Sequence, residues 1–81
     1  MNTDSLQQEV SDLHKRIGAK VQELRMAKGL TQWTLADAIG HSSTTIISQA
    51  EIGSKKHFNV EQLYKISKVL ECSMTDFFII D

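Results

Sequence analysis

Thr44, Thr45, Ser48 and Gln49 recur at spacings of one, three and one, which places them on one broad face if the segment is helical. Their chemistry suits the edges of nucleic-acid bases and the phosphates beside them. A hydroxyl both donates and accepts a hydrogen bond, and a Gln amide can pair bidentately with adenine. Ser43 lies immediately before this set and joins it. Lys55 and Lys56 follow, with His57 behind them, where a loop would run beside a sugar–phosphate backbone. Polar residues at such spacing can equally form a plain solvated face, so the elements around them decide.

Those elements point one way. The stretch from Gly29 to Gly53, GLTQWTLADAIGHSSTTIISQAEIG, reads as two short helices joined by a tight polar turn, the pattern that presents one helix to the DNA major groove. The first opens at Thr31, whose hydroxyl can accept orphan backbone N–H groups, and carries Leu35, Ala36 and Ile39 along one face. Ala36 is small enough for a second helix to cross closely, and Gly40 stops the first. Ser42 or Ser43 restarts the chain as a new N-cap. The second helix buries Ile47 and Ala50 against the first, which turns the polar set outward.

Upstream, Leu6, Val10, Leu13, Ile17, Val21 and Leu24 form one stripe of an amphipathic helix running from about Ser5 to Ala27. Gly29 ends it, with Lys28 complementing the helix dipole, and Gly18 inside it costs about 1 kcal/mol relative to Ala. Downstream, Asn59 caps another helix with Gln62 at the capping-box position, and Val60, Leu63, Ile66, Val69 and Leu70 form its apolar face. A fifth short helix, capped by Ser73 or Thr75, ends in Phe77, Phe78, Ile79 and Ile80. The expected fold is all-α. No alternating segment or hairpin turn suggests strands.

At 81 residues the chain has room for one small domain that would be only marginally stable alone. Net charge is −1, which counts against bulk affinity for nucleic acid. Its distribution softens the objection: Asp4, Glu9 and Asp12 stand in the first 14 residues without a Lys or Arg, leaving nine basic and seven acidic groups in the rest. The N-terminus MNTDSLQQEV has neither the basic start nor the apolar core of a signal peptide, and no apolar run can span a bilayer. A cytoplasmic location is expected. Cys72, the single cysteine, allows no internal disulfide and is expected in the core. His14, His41 and His57 are scattered, and no ligand spacing for a metal is visible, so neither metal nor cofactor is expected. No nucleophile, base and orienting carboxylate converge in a motif, which argues against an enzyme.

Residues 17 to 78 resemble the phage-repressor helix-turn-helix family of the Cro/cI or XRE type. The motifs that carry the resemblance are IGAKVQELRMAKGLTQ, LADAIG, ISQAEIG and LYKISKVLECSMTDFF. Size and single-domain character are also similar to the controller proteins of restriction-modification systems. The resemblance implies a compact five-helix bundle with an N-terminally extended first helix: residues 1–16 the extension, and 17–81 the DNA-binding domain with a C-terminal dimerisation helix. It implies that Gln32 contacts a phosphate and supports the recognition helix, that Thr44, Thr45 and Gln49 face the major groove, and that Arg25 and Glu51 form a structural salt bridge. From Gly40 to Glu51 the chain is one residue longer than the family pattern, so the recognition helix has two possible registers. The one that buries Ile47 with Ala50 and keeps Glu51 near Arg25 is preferred over one resting on Ile46. Gln49 stands where an Arg is frequent, which favours adenine over guanine at that contact. Trp33 is expected to pack on the first helix, the alternative being an indole N–H donated to a phosphate.

The chain ends carry the oligomerisation argument. Leu6, Val10 and Leu13 extend the apolar stripe beyond the usual domain start, and Phe77, Phe78, Ile79 and Ile80 concentrate apolar surface at the other end. Either set can be covered within one subunit. The preferred reading is a two-fold homodimer that sets two recognition helices about 34 Å apart on double-stranded DNA. The expected function is thus a sequence-specific transcriptional regulator on a pseudo-palindromic operator that competes with or recruits RNA polymerase. The competing reading is a protein-interaction module, an antitoxin or antirepressor that uses its apolar helices.

Overall fold

In a computed structural model, residues 3–79 are described, with the side chain of residue 3 left aside. Helix α1 spans Thr3–Ala27, α2 Gln32–Ala38, α3 Thr45–Ile52 and α4 Val60–Leu70, and a 3₁₀ segment follows at Met74–Phe78. No strand occurs among the described residues. The expected fifth helix is therefore a single tight 3₁₀ segment. Its five residues are too few to propagate an α-helix, and the bond from Asp76 N–H to the Ser73 carbonyl, 3.0 Å, winds it at three residues per turn.

The long helix α1 starts with Asp4 in its first turn and Arg25 in its last, charges that suit its dipole. Only the C-terminal part of its stripe enters the core: Ile17 and Val21 are buried and Leu24 packs at the edge, whereas Leu6, Val10 and Leu13 are exposed. Lys28 lies just beyond the helix and reaches across to Glu71, Nζ to Oε1 2.8 Å. That hydrogen bond and charge hold the Glu71 carboxyl below its usual range.

The caps expected at α2 and α4 are both formed. Thr31 Oγ1 accepts from Thr34 N–H at 3.0 Å. Asn59 Oδ1 accepts from Gln62 N–H at 2.7 Å while Gln62 Oε1 accepts from Asn59 N–H at 2.9 Å, closing the capping box. At α3 the N-cap residue is Thr44, not Ser42 or Ser43. Ser43 still contributes, since its Oγ accepts from Thr45 N–H at 3.2 Å. Val60 also departs from expectation, being 74% exposed. The buried arc of α4 is centred on Leu63, Ile66 and Leu70 and takes in Ser67; Val60, in the first turn, stands at the edge of that arc.

The core gathers Ile17, Val21, Leu35, Ala36, Ile39, Ile47, Ala50, Phe58, Leu63, Ile66, Leu70 and Phe77. Phe77 is fully buried, so it is a core residue and cannot belong to a dimer surface; Phe78 and Ile79 beside it are exposed. Turning Phe77 inward spends one aromatic of the terminal cluster on covering α1. Ile80 lies outside the described residues. Cys72 is only half-buried. Burial, and then the charge of Asp76, push its thiol up, which keeps it protonated.

Candidate nucleic-acid interface

Helix α3 is only eight residues long, too short to hold its shape alone. It is held from behind by α1. At their crossing the backbones meet at Gly18: a Cβ built there would lie 2.2 Å from the Ala50 carbonyl oxygen and 2.6 Å from that of Glu51. The glycine that weakens α1 therefore admits α3. Gly53 repeats the device at the exit of α3. It takes φ 73° as C-cap, and a Cβ on it would meet Lys15 Cα at 2.7 Å.

A buried polar network fixes the rotation of α3. Arg25 Nε donates to Glu51 Oε2 at 2.7 Å and a terminal guanidinium nitrogen donates to Oε1 at 3.2 Å, while its other terminal nitrogen donates to the Leu30 carbonyl at 2.7 Å. Arg25 and Glu51 are 7% and 4% exposed. Gln32 completes the set, its Nε2 donating to Glu51 Oε1 at 3.0 Å. Every acceptor of the carboxylate is thus met by a donor, the condition under which a buried ion pair is tolerated.

With Ile47, Ala50 and Glu51 buried, the register resting on Ile47 is the one adopted. Ile46 is only partly buried. Thr45 and Gln49 then point outward, and Thr44 and Ser48 sit half-buried at the edge of the same face. Ser48 Oγ donates to the Thr45 carbonyl at 3.2 Å, so its oxygen faces outward chiefly as an acceptor. Ser43 is exposed at the entrance of the helix. Lys55 and Lys56 are exposed on the following loop, and Lys55 shares a shallow groove with Gln49, Ile52 and Ser54. Trp33 does not pack away as expected. It is 54% exposed at the start of α2.

Sequence reasoning missed two features. His14 and His57 are not scattered: their rings stack with centroids 3.7 Å apart and planes 15° apart, pinning the lysine loop to α1. Burial, and then the charge of His57, hold the His14 imidazole below its ordinary value. No local signal joins positions so far apart in the chain. The second is Ile52, an exposed apolar residue on the outer face of α3, whose helical spacing from Thr45 and Gln49 could have exposed it. Among the described residues no group of three or more His, Cys, Asp or Glu gathers to hold a metal, and no helix is long and apolar enough to cross a membrane.

Comparison with known proteins adds to this geometry. A family model described as helix-turn-helix matches residues 21–77. Among solved structures, the chain is similar to the restriction-modification controller protein C.AhdI from Aeromonas hydrophila. The two are 30% identical, with a TM-score of 0.73, over 83% of this chain and 97% of that one. No match is found among curated proteins.

Proposed function

Because the chain belongs to the XRE-type helix-turn-helix family and is a DNA-binding transcription regulator, we propose that it acts as a homodimer on a pseudo-palindromic operator. The observation that carries the reading is the clamped α3: Arg25, Glu51 and Gln32 hold one face against the body, and the opposite face offers Thr45 and Gln49. A rigid, outward-facing helix flanked by lysines is what base-edge readout needs.

In this reading Thr44, Thr45 and Gln49 face the major groove, with Gln49 pairing to adenine. Ser43, Ser48, Lys55 and Lys56 hold phosphates or sugar edges, and Gln32, oriented by Glu51, approaches a phosphate at the start of α2. Two copies meet through exposed apolar surface at the chain ends, Phe78 and Ile79 together with Leu6, Val10 and Leu13. Doubling the contacts supports specific binding by a chain whose net charge is −1. As a cytoplasmic regulator it would act by blocking or recruiting RNA polymerase, and the similarity to a restriction-modification controller favours that regulatory setting.

Selection of bound sequences from a randomised duplex pool, at near-physiological salt, tests this. Enrichment of a two-fold symmetric site is expected. A flat pool would overturn operator recognition and favour a protein partner for the apolar surfaces.

A further inference from the structure

The polar face of α3 ends in an apolar residue. Taking about 100° per residue, Thr45, Gln49 and Ile52 line up at i, i+4 and i+7, directly opposite the buried Ile47, Ala50 and Glu51. Ile52 is 67% exposed, and it lies in a groove whose other walls are Gln49, Ser54 and Lys55. The other apolar residues of this helix are covered: Ile47 and Ala50 are in the core and Ile46 packs against it. An isoleucine held out at this one place has a matching partner in the major groove, where the C5 methyl of thymine is the apolar group that each base pair containing it presents.

We propose that Ile52 is a specificity-determining residue that packs on a thymine methyl. From Thr45 to Ile52 the rise is about 10 Å, so the thymine lies roughly three base pairs along the groove from the base that Thr45 meets. Lys55, on the rim of the same groove, sits where the flanking phosphate passes and holds the helix end down onto the base pair. Gln49 and Ile52 then read neighbouring positions by different means, a bidentate hydrogen-bonding contact for adenine and an apolar one for thymine. The inference rests on α3 lying in the major groove of the operator.

The experiment replaces each thymine of the selected half-site in turn by deoxyuridine, which removes only the methyl, and measures affinity for the wild type and for Ile52→Ala. At one position the wild type should lose about fourfold, the loss expected for one methyl no longer buried, and Ile52→Ala should be indifferent to the same replacement. Because Ile52 is exposed, the variant should melt as the wild type does. An operator at which no thymine methyl is coupled to Ile52 overturns the assignment while leaving operator recognition standing. A pool without any enriched site overturns both together.

Discussion

Removing the carboxylate of Glu51 is the sharpest test of how α3 is held. In Glu51→Ala the Arg25 guanidinium stays buried with the Leu30 carbonyl as its remaining acceptor, and the Gln32 amide loses its acceptor as well. Breaking a buried pair by deleting one partner costs about 3–5 kcal/mol. A domain of this length has in total about 4–12 kcal/mol, so the variant should lose from about a quarter of its stability to all of it. At about 4–8 °C per kcal/mol for domains of this size, the melting temperature should fall by about 12–40 °C. Thermal melts followed by far-ultraviolet circular dichroism, at one fixed protein concentration so that any self-association is held constant, provide the measurement. Replacing both partners by apolar residues, Arg25→Met with Glu51→Leu, should recover much of the loss, because no charge is left unpaired. A single variant melting within about 5 °C of wild type would refute the reasoning, since the carboxylate would then contribute no more than a surface group.

Replacing Lys55 and Lys56 together by Gln should weaken binding to all sequences alike and flatten the dependence of log affinity on log salt by up to about two units; an unaltered slope would place the loop off the backbone. Gly18→Ala should lower the melting temperature despite a gain of about 1 kcal/mol in helix propensity, because the added methyl meets backbone oxygens that move only if α3 moves; a stabilised variant would contradict the crossing. His14 is held below its ordinary value, so folding favours its neutral form: the stability this contributes is present above the unfolded value near pH 6.5 and is lost as pH falls through the lower folded value. Wild type should therefore melt progressively earlier on acidification, and His14→Phe, which keeps a ring for His57, should melt with a shallower pH dependence; identical profiles would remove His14 from the effect. Ile79→Asp should reduce the sedimentation mass of the proposed dimer, whereas an unchanged dimeric mass would shift the contact to Leu6, Val10 and Leu13.

Where sequence reading and structure agree, short-range physics is enough. Leu35, Ala36, Ile47 and Ala50 follow helical periodicity into the core, and Asn59 with Gln62 closes a capping box spelled out within four consecutive positions. The outward set on α3 was legible for the same reason, being the complement of the buried face. Much of what escaped the sequence depends on where distant segments come to rest. Phe77 and Phe78 are equally apolar neighbours, yet one fills the core and the other faces out, a choice made by the docking of the last segment on α1. Val60 obeyed the periodic pattern but lies in the first turn, at the edge of the buried arc. Gly18 could be read as a cost to its helix; its purpose became visible only once α3 crossed it.

The borrowed rigidity of α3 also divides its residues into those that can be rewritten and those that cannot. Excised as a peptide, the helix would lose the backbone seat at Gly18 and the guanidinium of Arg25, and with them any fixed shape. Left in place, it behaves as a typeface on a fixed block. On the proposed reading, Thr45, Gln49 and Ile52 are the residues to exchange to address a different sequence, with Ile47, Ala50 and Glu51 kept to hold the block in its frame. If α3 reads the operator as proposed, retargeting is a matter of substituting side chains on a surface whose geometry is set elsewhere in the chain.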